Sequence, residues 1–182
     1  MPPKSNHTKS LAKRSASTAA ASPRALALAP AQAKALRFLE NALSFHPFAY
    51  FWGRSGVGKT TILRQLQQKL GGVLLSAADF VDAALAGRPQ GLEESFQRAL
   101  TKALDKHPLV IIDGIDQLDL ASHACGGYPR STWWHTVFQS VVAHAERRQR
   151  RLVLSTSGGN VPHYFTQRAY AYGISKFDAG EF

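Results

Sequence analysis

The sequence predicts an α/β domain of three layers, in which a five-stranded, mainly parallel sheet is covered by helices on both faces. Three observations carry this expectation. Short apolar runs that fit covered strands alternate with stretches of helical periodicity. A glycine-rich turn ending in lysine sits where the first such run gives way to a helix. A later run, Leu109-Val110-Ile111-Ile112, stops on Asp113. Parallel strands need a covering crossover between them, so this alternation argues for a sheet wrapped on both sides.

The first element is a helix from about Pro30, because Ala35, Leu36, Leu39, Ala42 and Leu43 recur at helical spacing and Pro47 forbids continuation. Phe48 to Trp52 is apolar at every position, the pattern of a strand covered on both faces. A second helix runs from Lys59 to Leu70, with Ile62, Leu63, Leu66 and Leu70 on one stripe and Gly71-Gly72 as its stop. Val73 to Leu75 reads as a second buried strand, followed by helical text at 78–86 and, after a Gly87 to Gly91 break, at 92–105. Leu109 to Ile112 is the third strand. Beyond a turn-rich stretch, Ser131 is placed to cap a helix reaching about Gln149, with Trp134, Val137, Phe138, Val141, Val142 and Ala145 facing inward. Leu152 to Leu154 and Tyr172 to Phe177 complete the set as fourth and fifth strands.

A chain of 182 residues with 45% hydrophobic content supports one sizeable core, expected over 30–182. The net charge of +10 is uneven: residues 1–39 hold seven Lys or Arg and no acid, and the rest holds 15 basic against 12 acidic residues. Residues 1–29 therefore read as a basic, Ala/Ser-rich tail, disordered by itself or serving as a targeting segment. High pI alone does not make the folded part a nucleic-acid binder. No apolar run approaches the roughly 18 residues that cross a bilayer, which favours a soluble, intracellular protein and no membrane partner. The compartment reads as cytoplasmic or nuclear, with a mitochondrial address left open by the acid-free start. A single cysteine, Cys125, excludes an internal disulfide.

The chemistry gathers in Gly53-Arg54-Ser55-Gly56-Val57-Gly58-Lys59-Thr60, with Thr61 next in the same cradle. Two glycines with four residues between them, then Lys-Thr, between a strand and a helix, let successive backbone N–H groups turn toward a phosphate. Lys59 adds a full positive charge for the outer phosphates, and the Thr60 hydroxyl is a ligand for magnesium. Asp113, at the carboxyl end of a buried strand, is the expected second magnesium ligand, direct or through water. The cofactors so implied are ATP and Mg2+. GTP is disfavoured because no Asn-Lys-x-Asp guanine reader occurs.

On these residues the chain resembles the P-loop ATPases with an additional strand between the two phosphate motifs, the group that includes AAA+ and STAND proteins. The resemblance covers residues from 48 onward and implies strand order 5-1-4-3-2. Ile111-Ile112-Asp113-Gly114-Ile115-Asp116 looks most like the NACHT type of STAND ATPase. Typical AAA+ proteins place Glu directly after the magnesium Asp as the base that activates water, and Gly114 stands there instead. Asp116 then either serves the attacking water or caps the following turn. Gln117 occupies a position where NACHT proteins often carry Glu, which lowers the expected turnover. Ser155, Thr156 or the amide of Asn160, at the end of the fourth strand, is placed to sense the outermost phosphate. Arg168, just before the fifth strand, matches a finger that reaches a neighbouring subunit's nucleotide. The helical lid such proteins carry after the fifth strand is not seen before Phe182.

His123, Cys125 and His135 lack the repeated spacing of a zinc site. Arg147, Arg148, Arg150 and Arg151 fit the carbonyl end of a helix, where cations are favoured without any nucleic acid. The resulting expectation is Mg-dependent ATP binding with slow hydrolysis, as an ATPase or switch acting with a protein partner or a second copy. Two alternatives stand beside it: a degenerate nucleotide-binding module without turnover, and a nucleic-acid-associated ATPase tethered by the tail.

Overall fold

The structure, a computed structural model, describes residues 27–85, 92–117, 130–158 and 161–174. The calls on residues 1–26, the Gly87 to Gly91 break, His123, Cys125, Asn160 and Phe177 lie outside them, as do the side chains of Ser131 and Trp134. The elements are α1 (Pro30–Phe45), β1 (Phe48–Gly53), α2 (Lys59–Leu70), β2 (Val73–Ser76), α3 (Ala77–Leu85), α4 (Leu92–Lys106), β3 (Leu109–Asp113), α5 (Arg130–Arg147), β4 (Arg151–Thr156), α6 (His163–Thr166) and β5 (Tyr170–Ile174).

The sheet runs β2-β3-β4-β1-β5, the order the resemblance implies, and every pairing is parallel. Alternate residues of each strand feed two separate cores, because successive side chains leave a strand on opposite faces. On one face Phe48, Val110, Ile112, Leu152 and Leu154 meet Phe80 of α3, Phe96, Leu100 and Leu104 of α4, Phe138 and Val141 of α5, and Phe165 of α6. On the other, Ala49, Phe51, Ile111 and Val153 meet Leu36, Leu39 and Leu43 of α1 and Ile62, Leu63 and Leu66 of α2. Covered on both sides, β3 is fully buried from Leu109 to Ile112, which is why its sequence shows no polar alternation.

The structure departs from the sequence expectations in several places. β2 is only half-buried throughout, because it is the outer strand next to β3. Trp52 is 47% exposed: it lies at the carboxyl end of β1 across Gly173 of β5, where the next strand offers no side chain to cover it. α5 begins at Arg130, one residue ahead of Ser131. The helix ends at Arg147, before Arg148 and the left-handed Gln149 (φ 52°), and Arg151 already belongs to β4. β5 starts at Tyr170, two residues earlier than its hydrophobic text suggested, and the one-turn helix α6 was not anticipated.

Candidate functional site

Because β1, β3 and β4 are parallel neighbours, their carboxyl ends open on one edge of the sheet, and the loops that follow them meet there. A cleft of about 310 Å³ forms between those loops. One wall is Ser55, Gly56, Gly58, Lys59 and Thr60; the other is Ser76, Asp113, Gly114, Gln117 and Ser157.

The loop after β1 needs two of its glycines for backbone reasons. Gly56 (φ 87°) and Gly58 (φ 84°) both take the left-handed conformation, which a side chain disfavours, and Gly58 directly precedes α2. The first N–H groups of α2 have no intrahelical partner, so they and the helix dipole present partial positive charge at the cleft. The Lys59 side chain is buried and its ammonium donates to the carbonyls of Gly53 (2.7 Å) and Arg54 (3.1 Å). Burial pulls its pKa below the usual lysine value, opposed by the negative charges of Asp116 and Asp113.

Facing it, Asp113 is held at both oxygens. Thr60 Oγ1 donates to Oδ2 (2.5 Å) and Ser155 Oγ donates to Oδ1 (2.6 Å), while Ser155 Oγ accepts from the Gly114 N–H (2.9 Å). The fully buried Ser155 thus fixes the carboxylate and the backbone after it, and it does not line the cleft. Thr156, also buried, accepts from the Gly158 N–H (3.3 Å) and shapes the turn after β4. Asp116 accepts from the Ser157 N–H (3.3 Å), joining the loop after β3 to the loop after β4, and is absent from the cleft wall.

Of the remaining predicted residues, Gly53 packs against Ile174, Val57 is buried beneath the loop, and the Arg54 side chain is exposed. Thr61 is the half-buried third residue of α2 and does not line the cleft. Arg168 lies two residues before Tyr170, whose β1 neighbour Ala49 marks the amino edge of the sheet. There it covers the Tyr164 ring (3.8 Å) and pairs with Glu146 (3.7 Å), at the end of the sheet opposite its own chain's cleft.

Sequence reading missed four contributors. Gln32, in the first turn of α1, donates to the Val57 carbonyl (3.1 Å) and accepts from the Ala29 N–H (3.1 Å), so one carboxamide joins the start of α1 to the phosphate loop. A Cβ on Gly58 would collide with it, a second reason for glycine there. Glutamine three residues after a helix cap is a recognisable capping signal, but its reach across 25 residues is not. Ser76 lines the cleft at the end of β2, its hydroxyl and N–H both bound to Asp79 (2.6 and 2.7 Å), and these bonds hold the Asp79 carboxyl below its ordinary pKa. Ser157 closes the far wall. Tyr50 lies on the sheet face next to Asp116, and burial, then that negative charge, raises its phenol pKa.

Thr60 and Asp113 are both oxygen donors, the type that suits magnesium, and they touch each other opposite the ammonium. No group of three or more His, Cys, Asp or Glu that could hold a metal occurs among the described residues. No helix among the described residues is long and apolar enough to cross a membrane.

The model of the ATPase family associated with various cellular activities (AAA) matches residues 49–153. No curated protein matches the sequence. Among solved structures, the chain is similar to AMPPCP-bound DnaA from Aquifex aeolicus, with TM-score 0.51 and 15% identity over 81% of this chain and 48% of that one. It is similar to a Walker-type ATPase of Pyrococcus abyssi, with TM-score 0.52 and 16% identity over 80% and 53%. It is also similar to the replication initiator DnaA bound to AMPPCP and single-stranded DNA, with TM-score 0.51 and 17% identity over 83% and 46%. At these identities the likeness is one of fold, and the chain spans about half the length of the structures it matches.

Proposed function

Because the chain belongs to the AAA family of ATPases, whose model covers more than half of it, we propose that it binds ATP with magnesium in the cleft between Gly53–Thr60 and Asp113 and hydrolyses it slowly. The observation that carries this reading is the contact of Thr60 Oγ1 with Asp113 Oδ2 beside the Lys59 ammonium. A cation ligand pair and a phosphate-binding charge thereby share one small volume. In this reading Lys59 and the loop N–H groups would bind the outer phosphates, and Thr60 and Asp113 would hold the ion, which would supply positive charge against them. The fold supplies positioning and electrostatics, and the ion neutralises charge on the phosphates.

The run Ile111 to Asp116 looks most like that of NACHT-type STAND ATPases, and Gly114 stands where typical AAA+ proteins place the acid that serves as base. This favours a switch over a fast motor: nucleotide orders the loops after β3 and β4, and a protein partner or second copy reads that order. Arg168, at the opposite edge, can serve only a site on another copy. The nucleic-acid reading draws on the acid-free basic start of the chain and on the single-stranded DNA in one structural neighbour.

The test is binding of a fluorescent ATP analogue with magnesium to the wild type and to Lys59→Ala. Loss of at least about tenfold in affinity is expected, since the variant removes a charge that meets phosphate directly. Equal affinity in the two chains would sink the proposal.

A further inference from the structure

We propose that Gln117 is the residue that orients the water attacking the γ-phosphate, so that this site hydrolyses ATP without a carboxylate base. The inference rests on the nucleotide reading above and assigns the group that sets its rate.

The cleft's polar groups can be sorted by what already holds them. Lys59 and the loop amides supply positive charge for phosphate. Thr60 and Asp113 are bonded to each other, and Asp113 also to Ser155, which suits a cation ligand and leaves both carboxylate oxygens engaged. The Ser76 hydroxyl is bound to Asp79. Asp116, the other acid of this loop, receives the Ser157 N–H and does not line the cleft, although its charge reaches the Lys59 ammonium ahead of that of Asp113. Asp113 is therefore the single carboxylate lining the cleft among the described residues. Gln117 lines the same wall, exposed, with no hydrogen bond from its carboxamide to any described residue.

Its placement follows from Gly114. That residue has φ 74°, and its carbonyl accepts the Gln117 N–H (3.0 Å), so the chain turns tightly after Asp113 and returns Gln117 over Gly114. A Cβ on Gly114 would lie 3.4 Å from both Cδ and Nε2 of Gln117. The carboxamide thus lies in ordinary van der Waals contact with the position a Cβ at 114 would take, immediately beside the magnesium acid. Placing an L-residue at 114 would meet both the left-handed backbone and this side chain.

An amide accepts a hydrogen bond at its oxygen and donates at its nitrogen but does not take up a proton at neutral pH. The step it serves is therefore written without a base. The water oxygen forms a bond to the γ-phosphorus, the bond from that phosphorus to the β–γ bridging oxygen breaks, and its electron pair stays on the β-phosphate of ADP. Both water protons end on the released phosphate, so ATP4− and H2O give ADP3− and H2PO4−. Without a general base the step forgoes the roughly 10²–10⁴-fold that a positioned proton acceptor contributes, consistent with slow turnover.

The experiment compares wild type, Gln117→Ala and Gln117→Glu, measuring single-turnover phosphate release and, separately, affinity for a non-hydrolysable ATP analogue with magnesium. Because Gln117 is exposed, all three should fold alike, checked by thermal melting. Expected are affinities within about twofold, release slowed about tenfold in Gln117→Ala, and release accelerated about tenfold in Gln117→Glu. The acceleration is set conservatively against the 10²–10⁴-fold that a positioned base supplies. The Glu variant should also slow at acidic pH as its carboxylate protonates, a dependence that a structural role would not create. If wild-type release is too slow to measure, magnesium-dependent release appearing in Gln117→Glu supports the role, and its failure to appear overturns it. Equal release rates in all three chains with binding intact overturn the role of Gln117 alone. Absence of analogue binding to the wild type overturns the nucleotide reading and this assignment with it.

Discussion

Replacing Ser155 by alanine removes one oxygen that makes two buried contacts, and the loss can be worked out from them. The Gly114 N–H loses its acceptor at 2.9 Å, and an unsatisfied buried donor costs about 1–3 kcal/mol. The Asp113 carboxylate loses a charge-assisted bond at 2.6 Å, of a class that contributes about 1.5–3 kcal/mol, although Thr60 still holds its other oxygen. The two effects share one side chain and do not add fully, so the net destabilisation should be about 2–3 kcal/mol. For a domain of this size that lowers Tm by roughly 4–12 °C. Chemical denaturation with an unchanged m-value is the appropriate assay, because the change lies in the native state. The freed carboxylate should also weaken magnesium-dependent binding of an ATP analogue more than magnesium-free binding. A variant within about 0.5 kcal/mol of wild type would show that Ser155 does not fix Asp113.

Two further outcomes follow from local bonds. Gln32→Ala should lose about 1–2 kcal/mol and weaken ATP-analogue binding several-fold, whereas Gln32→Glu, which still accepts from Ala29 but cannot donate to Val57, should recover the helix start and not the binding; isothermal titration and denaturant melts on both variants separate the two bonds. Asp79 has its pKa depressed by Ser76, so its contribution to stability is complete above the unfolded carboxylate value of about 3.9 and is lost as pH falls through the lower folded value; Asp79→Asn should therefore melt below wild type at pH 7, with the gap closing toward pH 3.

The parts of the molecule that could be read from sequence are those whose physics is local or periodic. The strand, glycine turn and helix from Phe48 to Leu70 announce themselves because backbone requirements at Gly56 and Gly58 and apolar spacing in α2 act over a few residues. β3 was legible because double coverage leaves a continuous apolar run ending on Asp113. β5 was misplaced because its first residues, Tyr170 and Ala171, are exposed, so their hydrophobicity does not mark the strand. The four-residue α6 is too short to show a period. At the site, residue types gave Lys59, Thr60 and Asp113, but the loop that carries Asp116 and Gln117 presents the second to the cleft, and only coordinates show which of two neighbours faces it. Likewise, Ser155 was placed by sequence at the strand end as a reader of phosphate, and the structure directs its hydroxyl to Asp113. Contacts across 25 to 53 residues, such as those of Gln32 with Val57 and Thr60 with Asp113, leave no trace in spacing.

The carboxamide of Gln32 has a mechanical meaning beyond its two bonds. It ties the residue where the chain enters the domain to the loop that would grip phosphate, with no intervening side chain. A shift of Ala29 would reach Val57 through a single planar group. Conversely, a loop tightened around an anion steadies the point of entry. Ala29 and the cleft are in this sense two ends of one short lever.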